Sequence, residues 1–144
     1  MTHDEILAAA QELARSKAPF VFATVDAEGA PQVRWMGGLV LEEPFQVCMM
    51  SGAQARKMAQ IRNNSAGQLV FSTPDFSRVI TVSGTCEVSD DLECKRQMWA
   101  AMPELAQFVS GPEDPNFGLV RFIGKRLELL AIRELGPEPL VAEL

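Results

Sequence analysis

The sequence predicts a mainly β fold: one antiparallel sheet closed or split into a small barrel, with a few flanking helices. Three observations carry this. Short strand-like stretches recur, bounded by Gly, Pro, Asn and Asp. The few helical segments show no regular strand–helix–strand alternation, which argues against a parallel nucleotide-binding sheet. No internal repeat, low-complexity segment or linker interrupts the 144 residues, so residues 1–144 read as one domain with a real core.

The elements follow in order. Residues Asp4 to Ser16 read as a first helix, with Ile6, Leu7, Ala10, Leu13 and Ala14 on one stripe and Thr2 or Asp4 as its cap. After Pro19, "FVFATVD" reads as a strand. "AEG" is a tight turn in which Gly29 supplies a positive φ. "PQVRWMGGLVL" is the returning strand, where Gly37 and Gly38 mark a bulge or a close backbone approach. "EEP" turns into the strand "FQVCMMS", and a helix runs from Gln54 to Asn63. "GQLVFS", the turn "TPDF" and the long strand "SRVITVSGTCEVS" come next, with Gly84 as a strand kink. "DDLECKRQMWAAM" is a helix started by an Asp pair, and "PELAQFVSGPEDPNFG" passes from a short helical piece into a Pro/Gly loop. "LVRFIG" and "RLELLAI" are expected to form a hairpin about a Gly-Lys turn, leaving "GPEPLVAEL" unassigned.

Composition narrows the function. Hydrophobic residues make up 47% and charged residues 22%, the balance of a soluble globule. The net charge of −6 argues against broad contact with nucleic acid or an anionic membrane. No stretch has the apolar length needed to cross a bilayer, and "MTHDEILAAAQELARSKAP" does not read as a secretory signal. Cys48, Cys86 and Cys94 lack close metal-type spacing, so reduced thiols in a cytoplasm are expected. His3 is the only histidine. That argues against a Ser-His or Cys-His nucleophile and against a zinc site built on several histidines.

An anion site must therefore be local, and "SGAQARKMAQIRNN" offers one. Arg56 and Lys57 fall near the start of a helix, whose end already carries roughly half a positive charge and disfavours cations by about 0.3–1 kcal/mol. Ser51 is placed to cap that helix. Orphan N–H groups, the dipole and two cations together suit a phosphate. The plain alternative is that both side chains reach into solvent. On the strand "PQVRWMGGLVL", Val33 and Trp35 share one face and Arg34 and Met36 the other. If the first face is core, Arg34 looks outward and adds a third cation to the same anion.

The ordered set of strand, "DAEGAPQVR", "MMSGAQARKMAQIRNN", "TVSGTCEV", a helix with Trp99 and "GPEDPNFGLVRF" resembles the pyridoxamine 5′-phosphate oxidase-like split barrels that bind FMN. It is most similar to their general-stress and nitroimidazole-resistance branch, over roughly Pro19 to Ile132. The resemblance implies a homodimer with two FMN molecules, each in a groove between subunits. It implies that Arg34, Arg56 and Lys57 reach the FMN phosphate and that Ser51 is the strand-end hydroxyl beside it. Trp35 and Met36 then run beside the isoalloxazine, largely through backbone, and Met50 lines the ring. The expected activity is FMN-dependent transfer of reducing equivalents from NAD(P)H to a small electron-poor acceptor. Two alternatives stand beside it: a flavin-binding stress protein without turnover, and a barrel turned to haem or another anionic ligand.

Two departures matter. Ala55 stands where the family often has serine, and "RLELLAIREL" lacks the aromatic of the true oxidases. Pyridoxamine phosphate oxidation is therefore not expected, and no residue stands out as a general acid. Trp99 is read as core or dimer packing, and Glu113 and Asp114 as turn residues. Cys48 is read as a buried thiol, and Met49 as core or flavin lining.

Overall fold

A computed structural model describes residues 1–144. The first helix, α1 (His3–Ala14), starts in a capping box: the Thr2 Oγ1 accepts the Glu5 N–H at 3.2 Å, and the Glu5 carboxylate accepts the Thr2 N–H at 3.1 Å. Its buried stripe is Ile6, Ala10 and Ala14. Strands β1 (Phe20–Val25) and β2 (Pro31–Met36) form the expected hairpin. Asp26 Oδ1 accepts the N–H groups of Glu28 and Ala30, and Gly29 takes φ +82° in the turn.

The expected single strand from Pro31 to Leu41 is in fact two. β2 ends at Met36, and β3 (Leu39–Leu41) begins after Gly37 and Gly38. The reason lies in the sheet order, β2-β1-β5-β6-β7-β4-β3. It includes β4 (Gln46–Gly52), β5 (Ala66–Ser72), β6 (Val79–Ser89) and β7 (Phe117–Leu130). β2 and β3 are thus opposite edges of one sheet, joined by two glycines. Seven flat strands would hold those edges roughly 29 Å apart, whereas Met36 and Leu39 can be at most about 11 Å apart along the chain. The sheet must curl until its edges meet without pairing, which makes it a split barrel. Gly38 allows this crossing: a Cβ there would lie 2.8 Å from the Cys48 carbonyl oxygen.

The expected hairpin at Gly124–Lys125 is also absent. β7 runs unbroken through both residues for 14 residues. Lys125 is the extra residue of a bulge opposite Ser83 and Gly84 in the β6–β7 register. Through that bulge the core face changes from Val120 and Phe122 to Leu127 and Leu129. Gly124 is there for close approach rather than for a turn: its N–H donates to the Phe45 carbonyl at 2.9 Å, and a Cβ would sit 3.1 Å from that oxygen. Gly84 is the strand kink expected, with room for no side chain: a Cβ would come within 2.0 Å of the Ile123 oxygen.

The remaining elements cover the barrel. Helix α2 (Arg56–Asn63) buries Met58 and Ile61 in the main core, beside the inward faces of the strands and α1. Helix α3 (Leu92–Ala101) and a 3-10 turn (Pro103–Gln107) cover a second core on the other side of β4 and β7, around Cys94, Met98, Leu105 and Leu119. β7 ends at Leu130, and Ile132, expected in the last strand, opens a short helix, α4 (Ile132–Leu135); the unassigned tail forms β8 (Leu140–Glu143), which pairs with the end of β7.

Candidate functional site: a cluster of unpaired cations

β4 and α2 build the centre of the site. β4 delivers Ser51 next to its last residue, only 4% exposed, and five residues after Ser51 the chain turns into α2 at Arg56. The expectation that Ser51 caps this helix is corrected. Ala55 is the N-cap and no side chain caps the end, because Ser51 is still in the ladder, paired with Gly118. Its hydroxyl instead accepts from the Lys57 Nζ at 3.1 Å and donates to the Gly52 carbonyl at 3.2 Å. Gly118 makes this packing feasible: a Cβ there would meet the Ser51 carbonyl oxygen at 2.6 Å and Met58 Cε at 2.8 Å.

Helix α2 therefore starts with Arg56 and Lys57 in its first turn, no acidic residue there and no cap. Its orientation is fixed from the core side. Thr24, buried on the inner face of β1, donates to Gln60 Oε1 at 2.7 Å. Neither residue stands out in the sequence as part of a site. The signal available was a threonine at the inward parity of Phe20 and Phe22.

Arg34 joins them from β2, but by the opposite face from the one expected. Val33 and Trp35 are 68% and 71% exposed, and Arg34 and Met36 turn inward, half-buried. Inside the curled sheet the Arg34 guanidinium lies 5.4 Å from the Phe22 ring centroid, and Nη1 donates to the Phe22 carbonyl at 3.2 Å. Burial lowers its proton affinity, and Arg56 adds to this. Burial likewise lowers that of Lys57, with Arg34 adding its repulsion. Each of Arg34 and Lys57 thus feels another member of the cluster. None of the three cations has a carboxylate partner, although the chain forms ion pairs elsewhere through Arg15, Arg78, Arg96, Arg121 and Arg126.

Such an arrangement is unfavourable until an anion enters it. A phosphate dianion fits the donor set: two guanidinium groups, one ammonium, one hydroxyl and the uncapped N–H groups of a helix start. The other expected residues lie around this cluster. Met36 packs on the main core beside Arg34. Met50 packs on the second core, across β4 from Ser51. The Trp35 side chain points away from Arg34, leaving only its backbone on the edge strand near the cluster. Two clefts of about 410 Å³ lie elsewhere; one, between α2 and the 112–119 segment, is lined by Met58, Arg62, Lys95 and Phe117 and by none of the cluster. Asp114 acts as the turn residue expected, its carboxylate accepting the N–H groups of Ser110 and Asn116.

A curled antiparallel sheet whose two edge strands meet without pairing is a split barrel. The family model described as pyridoxamine 5′-phosphate oxidase matches residues 6–131, and the chain belongs to that family. Its fold is that of general stress protein 26 from Bacillus anthracis str. Sterne (TM-score 0.79, 20% identity, all of both chains covered). It is also that of a NimC/NimA family protein from Clostridium acetobutylicum (TM-score 0.75, 19% identity, 99% and 100% covered). A haem-binding protein from Mycobacterium smegmatis shares it too (TM-score 0.76, 13% identity), with 99% of this chain covering 58% of that one. No curated protein sequence matches the chain. No helix is long and apolar enough to cross a membrane.

Proposed function

We propose that the protein binds FMN, with the phosphate held by Arg34, Ser51, Arg56 and Lys57, and passes reducing equivalents from NAD(P)H to a small electron-poor acceptor. The observation that carries this is the set of three cations without a carboxylate among them, gathered where one helix start is left uncapped. FMN bound there would supply the redox chemistry, a two-electron exchange between a reduced nicotinamide and a nitroaromatic or quinone-like acceptor. The chain's own residues position it. Lys57 and Ser51 hold one another, so the ammonium is aimed before the ligand arrives. Phe22 steadies Arg34 from below. The backbone of Trp35 and Met36, and Met50 across β4, are left to border the ring.

A homodimer completes the site in this reading. Arg56 is exposed in one chain, and the adjoining edge strand β2 presents Val33 and Trp35 bare. Edge strands with exposed aromatics are normally covered. A second reading, a flavin binder without turnover, is favoured by one observation. The single histidine is engaged by the Glu143 carbonyl on β8 at 2.6 Å and by Asp4, so no group titrating near neutrality serves the cluster.

The test is a yellow purified protein whose released ligand has the mass of FMN, followed by steady-state oxidation of NADH and NADPH with nitroaromatic and quinone acceptors. Turnover supports the oxidoreductase. Bound FMN without turnover supports the binder. A colourless protein that takes up no FMN, or one that takes up haem in its place, overturns both.

A further inference from the structure

We propose that Cys48 and Cys94 form a dithiol that peroxide oxidises to a disulfide, tying β4 to the first turn of α3. The two sulfurs lie 3.0 Å apart as free thiols, 46 residues apart in sequence, and both are buried. Three elements converge to place them. Cys48 sits mid-β4, directly opposite Arg121 of β7 in the ladder, so both side chains share a face. Arg121 Nη2 donates to Asp91 Oδ2 at 3.0 Å, and Nη1 lies 3.6 Å from Glu87. Asp91 is also the N-cap of α3, and its Oδ1 accepts the Cys94 N–H at 3.2 Å. One carboxylate therefore holds both the guanidinium and the backbone of the second cysteine.

The chemistry of the surroundings suits a reacting pair. The Arg121 Nε is buried with no hydrogen-bond partner. A guanidinium beside sulfur stabilises a thiolate. Burial pushes the Cys48 thiol up to about 12, the Cys94 thiol adds to that, and Arg121 opposes it. Cys94, on the first turn of the covering helix α3 and 4% exposed against 0% for Cys48, is the sulfur nearer to an incoming oxidant, which assigns the first attack to it. The third cysteine, Cys86, belongs to the main core and has no thiol partner. It serves as an internal control.

The oxidant is hydrogen peroxide. The Cys94 thiolate attacks one peroxide oxygen, the O–O bond breaks, and a sulfenic acid forms as hydroxide leaves. The Cys48 proton passes to that hydroxide, giving water. The Cys48 sulfur then attacks Cys94, the S–S bond forms, the S–O bond breaks, and the departing hydroxide takes a proton as water. Starting from two thiols, two electrons pass to peroxide and two waters form.

The test treats the purified full-length protein with hydrogen peroxide, then alkylates it in denaturant and measures its mass. The expected result is a loss of 2 Da, a fall from three alkylatable thiols to one, and a linked peptide pair containing Cys48 and Cys94. Dithiothreitol restores all three thiols. Cys86→Ser still loses 2 Da, whereas Cys48→Ser and Cys94→Ser do not. Three thiols surviving peroxide, a bond through Cys86, or sulfinic acid accumulating on Cys94 while Cys48 stays reduced overturns the proposal. None of these readouts depends on a bound flavin.

Discussion

The Lys57 ammonium donates to the Ser51 hydroxyl at 3.1 Å and has no carboxylate partner. A half-buried lysine held by a neutral oxygen, with Arg34 repelling it, is a charge still lacking its counterion. The functional reading grows from that pair.

Arg56→Ala/Lys57→Ala weakens FMN binding and leaves the fold intact. A hydrogen bond to a charged group contributes about 1.5–3 kcal/mol, so losing both contacts costs roughly 100-fold or more in affinity. Fluorescence titration measures this, and circular dichroism checks that the helices and sheet persist. Wild-type affinity in the double variant removes these residues from the phosphate site.

FMN affinity depends on pH in a defined direction. The Lys57 proton affinity is lowered from the ordinary lysine value by burial and by Arg34. Its charge, and with it the grip on phosphate, is present at pH 7 and fades as pH rises toward that lowered value. On the acid side affinity falls below about pH 6, where the phosphate takes up its second proton. Lys57→Arg keeps the cation charged in alkali and moves the alkaline fall to higher pH. Titrations from pH 5.5 to 10 check both limbs, and an identical alkaline limb in the variant contradicts the assignment.

Gly118→Ala destabilises the protein and loosens FMN together. The added methyl meets the Ser51 carbonyl at 2.6 Å, a backbone atom that moves only with the end of β4. Overpacking of this kind costs about 1–3 kcal/mol. Denaturant midpoints and FMN titration report the two effects, and an unperturbed midpoint shows that β4 has more room than the structure gives it.

These glycines show how much was legible beforehand. The order of strands and helices, the Asp26–Gly29 turn, the Thr2 cap and the kink at Gly84 could all be read from local pattern. The close approach expected at Gly37–Gly38 is found at Gly38, against the Cys48 carbonyl, but the pattern did not show that one strand ends there and another begins. The unbroken run through Gly124 could not be read either, because that glycine serves a contact with Phe45, far away in sequence. Alternation likewise separated Arg34 from Trp35 but did not say which face was inside. Hydrophobicity favoured burying Val33 and Trp35, and the structure buries the arginine face against Phe22. Ser51 and Lys57 do meet, but for a reason that local pattern does not give: the serine hydroxyl binds the lysine rather than the helix end.

Val33→Lys/Trp35→Lys converts the expected dimer to a monomer. Both side chains are bare on the edge strand, so the change costs the single chain little burial. Light scattering on the variant and the wild type measures the masses, and two equal masses remove this strand from the interface.

Stability carries a small histidine signature. The Glu143 carbonyl, and then Asp4, raise the His3 imidazole above its ordinary value. A raised folded value means stability fully present below about pH 6.5 and lost as pH climbs through the folded value. The Tm difference between wild type and His3→Gln is therefore positive at pH 5.5 and shrinks by pH 8. A difference flat across that range shows that the His3–Glu143 contact does not persist in solution.

The proposed site recognises flavin by its phosphate, and riboflavin lacks one. Calorimetric titration of the ligand-free protein with FMN and with riboflavin is the direct comparison. FMN is expected to bind at least about 100-fold more tightly, given two or more charge-assisted contacts to the phosphate. Equal affinity for the two flavins contradicts it.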